Sequence, residues 1–208
     1  MDSNARPPHT ASTMSIPPPA PLNLQALRSL DEGGFVARIG PVVEHSPWVA
    51  RRVWIHRPFG TRKALFDALC AEIHGASDDE QLALLRVHPE LAGQEARAGT
   101  MTTDSQSEQG RLGLLRLDAT TVRRLDDLNR RYRERFGFPF IVALRLHATL
   151  DSVLADGEQR LRHDATAERR IALGQVCQVV LGRLERLVDD DAVSPLPPSQ
   201  PTPAGASS

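Results

Sequence analysis

Arg183 occupies a position where a charged side chain needs a partner. At about 100 degrees per residue, it falls inside the apolar stripe of Val176, Val180 and Leu187 in the last helical pattern of the sequence. An arginine on such a face meets a carboxylate or a ligand, because burying an unpaired charge is costly. As a ligand-binding group, its planar guanidinium would clamp oxygens at two points. A buried ion pair with a nearby carboxylate is the structural alternative.

His88 and Glu108 have side chains suited to proton transfer, but each also has a structural interpretation. Imidazole titrates near neutrality and serves as a general acid or base. His88 precedes Pro89, and could instead only complement the negative end of a helix dipole. Ser105 and Glu108 match the Ser-x-x-Glu pattern of a capping box. The two interpretations are compatible at both places.

The histidines do not have the spacing of a metal site. Seven are present, but they lack the His-x-x-x-His spacing and the tight Cys/His clusters of zinc proteins. The chain also lacks a glycine-rich phosphate loop. We therefore expect neither a metal nor another cofactor.

Helices are the elements that must position these residues. Apolar residues recur at the helical period through the body of the chain, without the alternation of a half-buried strand, which predicts an all-α, single compact multi-helix domain. Ser77 and Glu80 form a capping box, and Pro89 disfavours helical geometry at His88, so His88 should follow a helix end. A helix from Thr103 should continue through Leu112, Leu115 and Leu117. Other helices are expected to begin near Ser29, Ser46, Thr61, Thr120 and Thr166, with one more passing through Leu150 and Leu161.

Both ends of the chain have a composition typical of disorder. Prolines stand among Ser, Thr and Ala within residues 1–20 and again within 192–208, and such segments bury too little apolar surface to fold. We expect a disordered leader over 1–20, a helical domain over 21–191 and a disordered Pro-rich tail over 192–208.

Composition narrows the class of protein. The formal net charge is -1, so the basic field of a nucleic-acid-binding protein is absent. Apolar runs fall short of membrane-spanning length. Cys70 and Cys177 lie on apolar faces of predicted helices and are expected to be buried free thiols, which favours a reducing, cytoplasmic location.

Five segments together resemble one enzyme family. They are Glu44-His45-Ser46-Pro47-Trp48 with Trp54, His88-Pro89-Glu90-Leu91-Ala92-Gly93, Ser105-Gln106-Ser107-Glu108-Gln109, Leu128-Asn129, and Phe136-Gly137-Phe138-Pro139-Phe140-Ile141-Val142. Each alone is a weak signal. In this order and spacing they resemble the 2-oxo-4-hydroxy-4-carboxy-5-ureidoimidazoline (OHCU) decarboxylases, from near Leu30 to Leu187.

The resemblance implies a set of site residues. His88 matches the family's catalytic histidine and Glu108 its acidic partner. Glu108 would hold the imidazole tautomer and raise its charged fraction, or would instead contact the ureido nitrogens of the substrate directly. The last helix has Gly182-Arg183-Leu184 where the family usually has Leu-Arg-Leu. The implied substrate-binding residues are Pro89, Ser105, Gln109, Phe140, Ile141 and Arg183.

The resemblance also implies a reaction: cofactor-independent decarboxylation of OHCU to S-allantoin during urate degradation. It further implies a small-molecule ureidoimidazoline substrate and a homodimer, while the composition predicts neither nucleic-acid nor membrane partners. Two other functions stay open. A non-catalytic, helical ureide-binding module would need Arg183 but not His88 with Glu108, and a purely structural helical dimer would have a dry core around Arg183.

Overall fold

The computed structural model describes residues 21–114 and 116–189, excluding the side chains of Glu95 and Arg97. The predicted disordered ends, 1–20 and 192–208, lie outside the described residues, and so does Leu115. Helices make up most of the described part of the chain, and its two strands have 2 residues each, which confirms the all-α prediction.

The helices follow one another with short connections. In chain order they are α1 (Leu24–Ser29), α2 (Glu32–Ile39), α3 (Pro47–Val53), α4 (Arg62–Gly75), α5 (Asp78–Arg86), α6 (Gln94–Ala98), α7 (Thr103–Arg111), α8 (Ala119–Phe136), α9 (Leu150–Arg160) and α10 (Ala165–Leu187). Single 3-10 turns occupy Gly40–Val42, Trp54–His56 and Leu144–Leu146. Two short strands, β1 (Leu22–Asn23) and β2 (Val188–Asp189), pair in parallel and join the two ends of the described chain.

Side-chain caps set most of the helix starts. Thr61 accepts a hydrogen bond from the Ala64 amide at the start of α4, and both halves of the Ser77–Glu80 capping box are present. The expected start at Ser29 is wrong, because Ser29 is the last residue of α1 and Asp31 caps α2. The Asp31 carboxylate accepts from the Gly34 amide, a cap as effective as serine.

Helix α7 differs from its prediction at both ends. Its N-cap is Thr102, whose hydroxyl accepts from the Ser105 amide, so Ser105 lies inside the helix and is not its cap. The helix ends at Arg111 and does not continue to Leu117. Gly113 takes the left-handed conformation with φ 72°, and the Gly113 and Leu114 amides donate back to Gly110 and Gln109. This is a Schellman ending, for which glycine is the usual residue.

Helix α10 is central to the core. It packs against α4, α5 and α8, and its residues Val176, Val180 and Leu184 are buried. Trp48 and Trp54 are partly buried against this core. Cys177 is buried, whereas Cys70 is only partly buried, and both thiols are free. Within residues 21–114 and 116–189, every helix is too short or too polar to cross a bilayer.

Candidate active site

A cavity opens beside the C-terminal half of α10. Its lining contains all eight residues singled out from the sequence, together with Glu44, which was not. The eight are His88, Pro89, Ser105, Glu108, Gln109, Phe140, Ile141 and Arg183. Residues far apart in the chain therefore converge on one place.

Four parts of the fold position the eight side chains around the cavity. His88 follows the end of α5, as its Pro89 neighbour predicts. Ser105, Glu108 and Gln109 lie three and four residues apart on α7, and therefore share one face of that helix. The segment between α8 and α9 contributes Phe140 and Ile141, and α10 contributes Arg183.

His88 is a neutral imidazole at pH 7. Its Nδ1 lies 3.4 Å from the carbonyl oxygen of Leu84. The pKa of His88 is lowered to about 4, mainly by burial and in smaller part by the charge of Arg183, while the Leu84 bond and the charges of Glu44 and Glu108 oppose the shift. Because a carbonyl only accepts hydrogen bonds, Nδ1 carries the proton and Nε2 keeps a lone pair. His88 thus both contacts the last turn of α5 and presents a base to the cavity.

Arg183 is both ion-paired and exposed to the cavity, so the two alternatives for this residue coexist. Its Nε and Nη2 donate to the Glu108 carboxylate at 3.0 and 2.9 Å, and Nη2 also donates to Glu44 at 3.0 Å. Burial works to lower the pKa of Arg183, but Glu108 and Glu44 hold it above its usual value. Nη1 donates to none of the described residues, and is available to a ligand.

Glu44 is a buried, charged residue of the site that sequence reasoning missed. Its side chain is 2% exposed, and it accepts hydrogen bonds from Thr102 at 2.5 Å and Ser105 at 2.6 Å. Burial would raise the pKa of Glu44, but the bonds from Ser105, Thr102 and Arg183 lower it, so the carboxylate is ionised. Glu44 lies between a 3-10 turn and α3, outside any helical period that would indicate burial. The signal that could have found it was its place in the Glu-His-Ser-Pro-Trp segment.

Glu108 lies against Arg183 and not against His88. No hydrogen bond joins Glu108 to His88 in the described residues, and Arg186 also donates to Glu108, at 3.2 Å. The charge of Glu108 does act to raise the pKa of His88, as expected, but burial outweighs it. Leu84, not Glu108, holds the imidazole tautomer.

Ser105 and Gln109 use their polar groups to support other parts of the site. The Ser105 hydroxyl donates to Glu44 and accepts from Arg183 at 3.2 Å. The Gln109 amide accepts from the Ala92 amide at 2.9 Å and donates to the Glu90 carbonyl at 3.2 Å. Ala92 is in the left-handed region with φ 50°, a costly conformation outside glycine. Gln109 therefore stabilises the turn that follows His88.

The described residues contain no group of three or more His, Cys, Asp or Glu side chains arranged to hold a metal ion. What the cavity offers is a neutral base, a paired guanidinium, two carboxylates and the backbone after Pro139. Such a set can orient an oxygen-rich small molecule and move a proton on it.

Comparison with known proteins gives matches over most of the chain. The model of the OHCU decarboxylase family matches residues 28–185. A 2-oxo-4-hydroxy-4-carboxy-5-ureidoimidazoline decarboxylase of Mus musculus is 40% identical over 169 residues, covering 80% of this chain and 93% of the mouse protein. The protein of the same name from Halalkalicoccus jeotgali is 37% identical over 166 residues, covering 80% and 92%.

A solved structure supports the same relationship. The crystal structure of an (S)-allantoin synthase matches with a TM-score of 0.65 and 29% sequence identity, over 81% of this chain and 54% of the other. This chain therefore spans about half of the length of that synthase.

Proposed function

This chain belongs to the OHCU decarboxylase family, and from that premise we propose that it decarboxylates OHCU to (S)-allantoin in urate degradation, with His88, Glu108 and Arg183 at the reacting centre. The observation that carries the proposal is their convergence. Three residues from the end of α5, from α7 and from α10 line one cavity. A base, a carboxylate and a guanidinium rarely meet in a cavity without a functional reason.

The substrate supplies its own electron sink. Loss of carbon dioxide leaves an electron pair on the ring carbon, and the adjoining imine accepts that pair at its nitrogen. An enaminol results, which becomes allantoin when its hydroxyl proton leaves and a proton is added to the neighbouring carbon. The ring nitrogen takes one further proton from solvent. The protein therefore needs to orient the substrate, stabilise charge and move a proton.

His88 has the properties of the group that moves the proton. With Nδ1 bound to the Leu84 carbonyl, Nε2 accepts the hydroxyl proton and then returns it to the neighbouring carbon as an imidazolium. Delivery from one fixed position gives one product enantiomer. A pKa of about 4 keeps His88 in the base form before substrate binds.

Arg183 binds substrate oxygens through the part of its guanidinium that Glu44 and Glu108 do not occupy. The two carboxylates fix the plane of the guanidinium through Nε and Nη2, which leaves Nη1 for a substrate oxygen. Backbone amides of the cavity wall after Pro139 bind the ring oxygen. Orientation is then set before the bond to the carboxylate breaks.

The alternatives from the sequence find less support. A ureide-binding module has no need of a partly buried, neutral His88 in the lining of the cavity. A structural dimer needs a dry core around Arg183, but Arg183 lines a cavity with an open mouth. The catalytic proposal uses both residues.

We further propose that the enzyme works without a metal, as a homodimer in the cytoplasm. The free thiols of Cys70 and Cys177 suit a reducing compartment. Sedimentation of the purified chain would test the dimer. Treatment with a chelator should leave activity unchanged, and a loss that zinc or magnesium restores would overturn the metal-free proposal.

The decisive experiment adds the protein to freshly made substrate. Urate treated with uricase and the hydrolase that acts next generates OHCU, whose decay and product are followed by circular dichroism. We expect faster decay and (S)-allantoin. Decay of OHCU at the uncatalysed rate, or formation of racemic allantoin, would contradict the proposal.

His88→Asn separates catalysis from folding in the same assay. General acid-base groups contribute about a hundredfold to ten-thousandfold, so the variant should melt as a folded protein yet lose most of its turnover. A merely structural histidine at the end of α5 predicts the reverse: reduced stability with normal turnover.

A further inference from the structure

Residues 140–145, in the segment between α8 and α9, form one wall of the cavity, and polar side chains hold this wall from behind. The Ile141 carbonyl accepts from Arg160 Nη1 at 3.0 Å. The Ala143 amide donates to the Gln175 side chain at 2.8 Å, and the guanidinium of Arg111 donates to the Leu144 carbonyl. The wall is therefore fixed through its own backbone.

Arg160 is the most constrained of these anchors. Its side chain is 4% exposed and that of Glu168 is 0% exposed. Nε and Nη2 of Arg160 donate to Glu168 at 3.1 and 2.6 Å, and the guanidinium lies 5.0 Å from the centre of the Phe140 ring. Glu168 is held in turn by His163 at 2.9 Å and by the Tyr132 hydroxyl at 3.3 Å.

Stability alone does not account for this pair. Replacing a buried ion pair by well-packed apolar residues is often neutral or stabilising, so a fold gains little free energy from Arg160 and Glu168. What the pair does supply is a guanidinium that Glu168 holds in place. Its Nη1 donates to the Ile141 carbonyl at 3.0 Å and also to the Asp156 carboxylate at 3.3 Å.

Because a peptide unit is planar, fixing the Ile141 carbonyl also fixes the direction of the next N–H, that of Val142. The peptide unit between Ile141 and Val142 is trans. In a trans unit the carbonyl and the following N–H point to opposite sides. With the Ile141 carbonyl turned to Arg160, the Val142 N–H points the other way. Val142 lines the cavity, and its amide has no acceptor among the described residues.

We propose that Arg160, locked by Glu168, is a positioning residue that turns the Val142 N–H toward the substrate's ring carbonyl oxygen. This inference rests on the proposed function. As carbon dioxide leaves, the electron pair passes to the imine nitrogen, which is bonded to the ring carbonyl carbon, and negative charge therefore spreads to that oxygen. A donor fixed in advance stabilises this charge without reorganising. Arg160 itself exchanges no proton and forms no covalent bond.

Arg160→Lys is the test, because an ammonium retains the charge beside Glu168 but lacks the planar fork with which Arg160 contacts Glu168 and the Ile141 carbonyl together. The matched control is His163→Gln, which changes another partner of the same carboxylate and does not contact the wall. We expect Arg160→Lys to melt as a folded protein with kcat reduced about tenfold to a hundredfold, because loss of a comparable donor costs a hundredfold or more. KM should change much less, and His163→Gln should keep a normal kcat.

Three results would overturn the inference. They are an unchanged kcat in folded Arg160→Lys, a rise in KM with kcat unchanged, and parallel losses of kcat and melting temperature in both variants, which would indicate a merely structural network. The unaltered chain is measured alongside. If it does not turn over OHCU, the proposed function itself fails, whereas normal turnover with an unaffected Arg160→Lys removes only this inference.

A second variant keeps the test decisive if Arg160→Lys does not fold. Arg160→Gln combined with Glu168→Gln removes both buried charges together, so neither is stranded. The same fall in kcat with little change in KM is expected, and a normal kcat in the folded double variant would overturn the inference.

Discussion

Arg183 joins two roles that the sequence presented as alternatives. It is 3% exposed and paired with both Glu44 and Glu108, yet it lines the cavity. Since two carboxylates depend on it, its removal affects the fold as well as the substrate. The cost of losing Arg183 is therefore expected to depend on whether the replacement keeps the positive charge.

Arg183→Met should lower the free energy of unfolding by about 3 to 5 kcal/mol, because it strands buried carboxylates. Arg183→Lys keeps the charge and should melt much closer to the unaltered protein, but kcat/KM should collapse because an ammonium cannot make the planar contact. Chemical denaturation and steady-state kinetics measure the two effects. Arg186→Lys is the control, since Arg186 is half exposed and surface pairs contribute at most about 1 kcal/mol. An Arg183→Met variant as stable as this control would contradict the ion-pair account.

At the scale of helices, α9 supports the cavity by a close approach at Gly157. A Cβ there would lie 2.7 Å from Leu128 Cδ2 and 3.2 Å from Phe140 Cε1. The absence of a side chain at Gly157 thus lets α8 and the wall residue Phe140 pack directly on α9. Gly174, in the middle of α10, differs, because a Cβ added there would meet no neighbouring side chain or element within 4 Å.

Alanine at these two glycines should have opposite effects. Gly174→Ala should raise the free energy of unfolding by about 0.5 to 1 kcal/mol, because alanine loses less backbone entropy in a helix. Gly157→Ala gains the same entropy but forces Leu128 and Phe140 to move, and overpacking of this kind costs about 1 to 3 kcal/mol. Since Phe140 lines the cavity, kcat/KM should also fall. Denaturant titration of both variants checks this, and equal stabilisation by the two alanines would show that the α8–α9 contact is loose.

At the scale of the whole molecule, buried ionisable groups make stability depend on pH. Burial lowers the pKa of His88 to about 4 in the folded protein, against about 6.5 when unfolded. The unfolded chain therefore binds this proton first as pH falls. The stability from neutral His88 is complete above pH 6.5 and is lost between pH 6.5 and 4. Glu44, whose pKa is lowered, adds a further loss as pH falls below the ordinary pKa of a carboxyl group.

We expect the free energy of unfolding to decline from pH 6.5 toward pH 4, with His88 accounting for up to about 3 kcal/mol. His88→Asn should flatten the decline in that window and leave the loss due to Glu44 at lower pH. Denaturant titrations at pH 7, 6, 5 and 4 measure this, with His56→Asn as a control at an exposed histidine. An unchanged slope in His88→Asn would mean that another group governs the acid response.

Local physics accounts for what the sequence predicted correctly. The helical period places Val176, Val180 and Leu184 in the core, the Ser77–Glu80 pair caps α5, and Pro89 leaves His88 just past a helix end. Each of these depends on neighbours within a few residues, so each is readable from the chain alone. The order of the motifs likewise indicated the family, and with it the set of residues found around one cavity. The Schellman ending at Gly113 was equally local, and was overlooked.

Only the tertiary structure decided how those residues are paired and charged. Glu44 and Arg183 are 139 positions apart, and Glu108 and Arg183 are 75 apart, so helix packing alone brings them together. The same packing removes water from around His88, and this desolvation lowers its pKa. The family resemblance had instead implied that the carboxylate of Glu108 would raise that pKa. A sequence shows which groups can ionise and which face of a helix they occupy. Which group meets which, and how much water is left between them, depends on contacts over the whole fold.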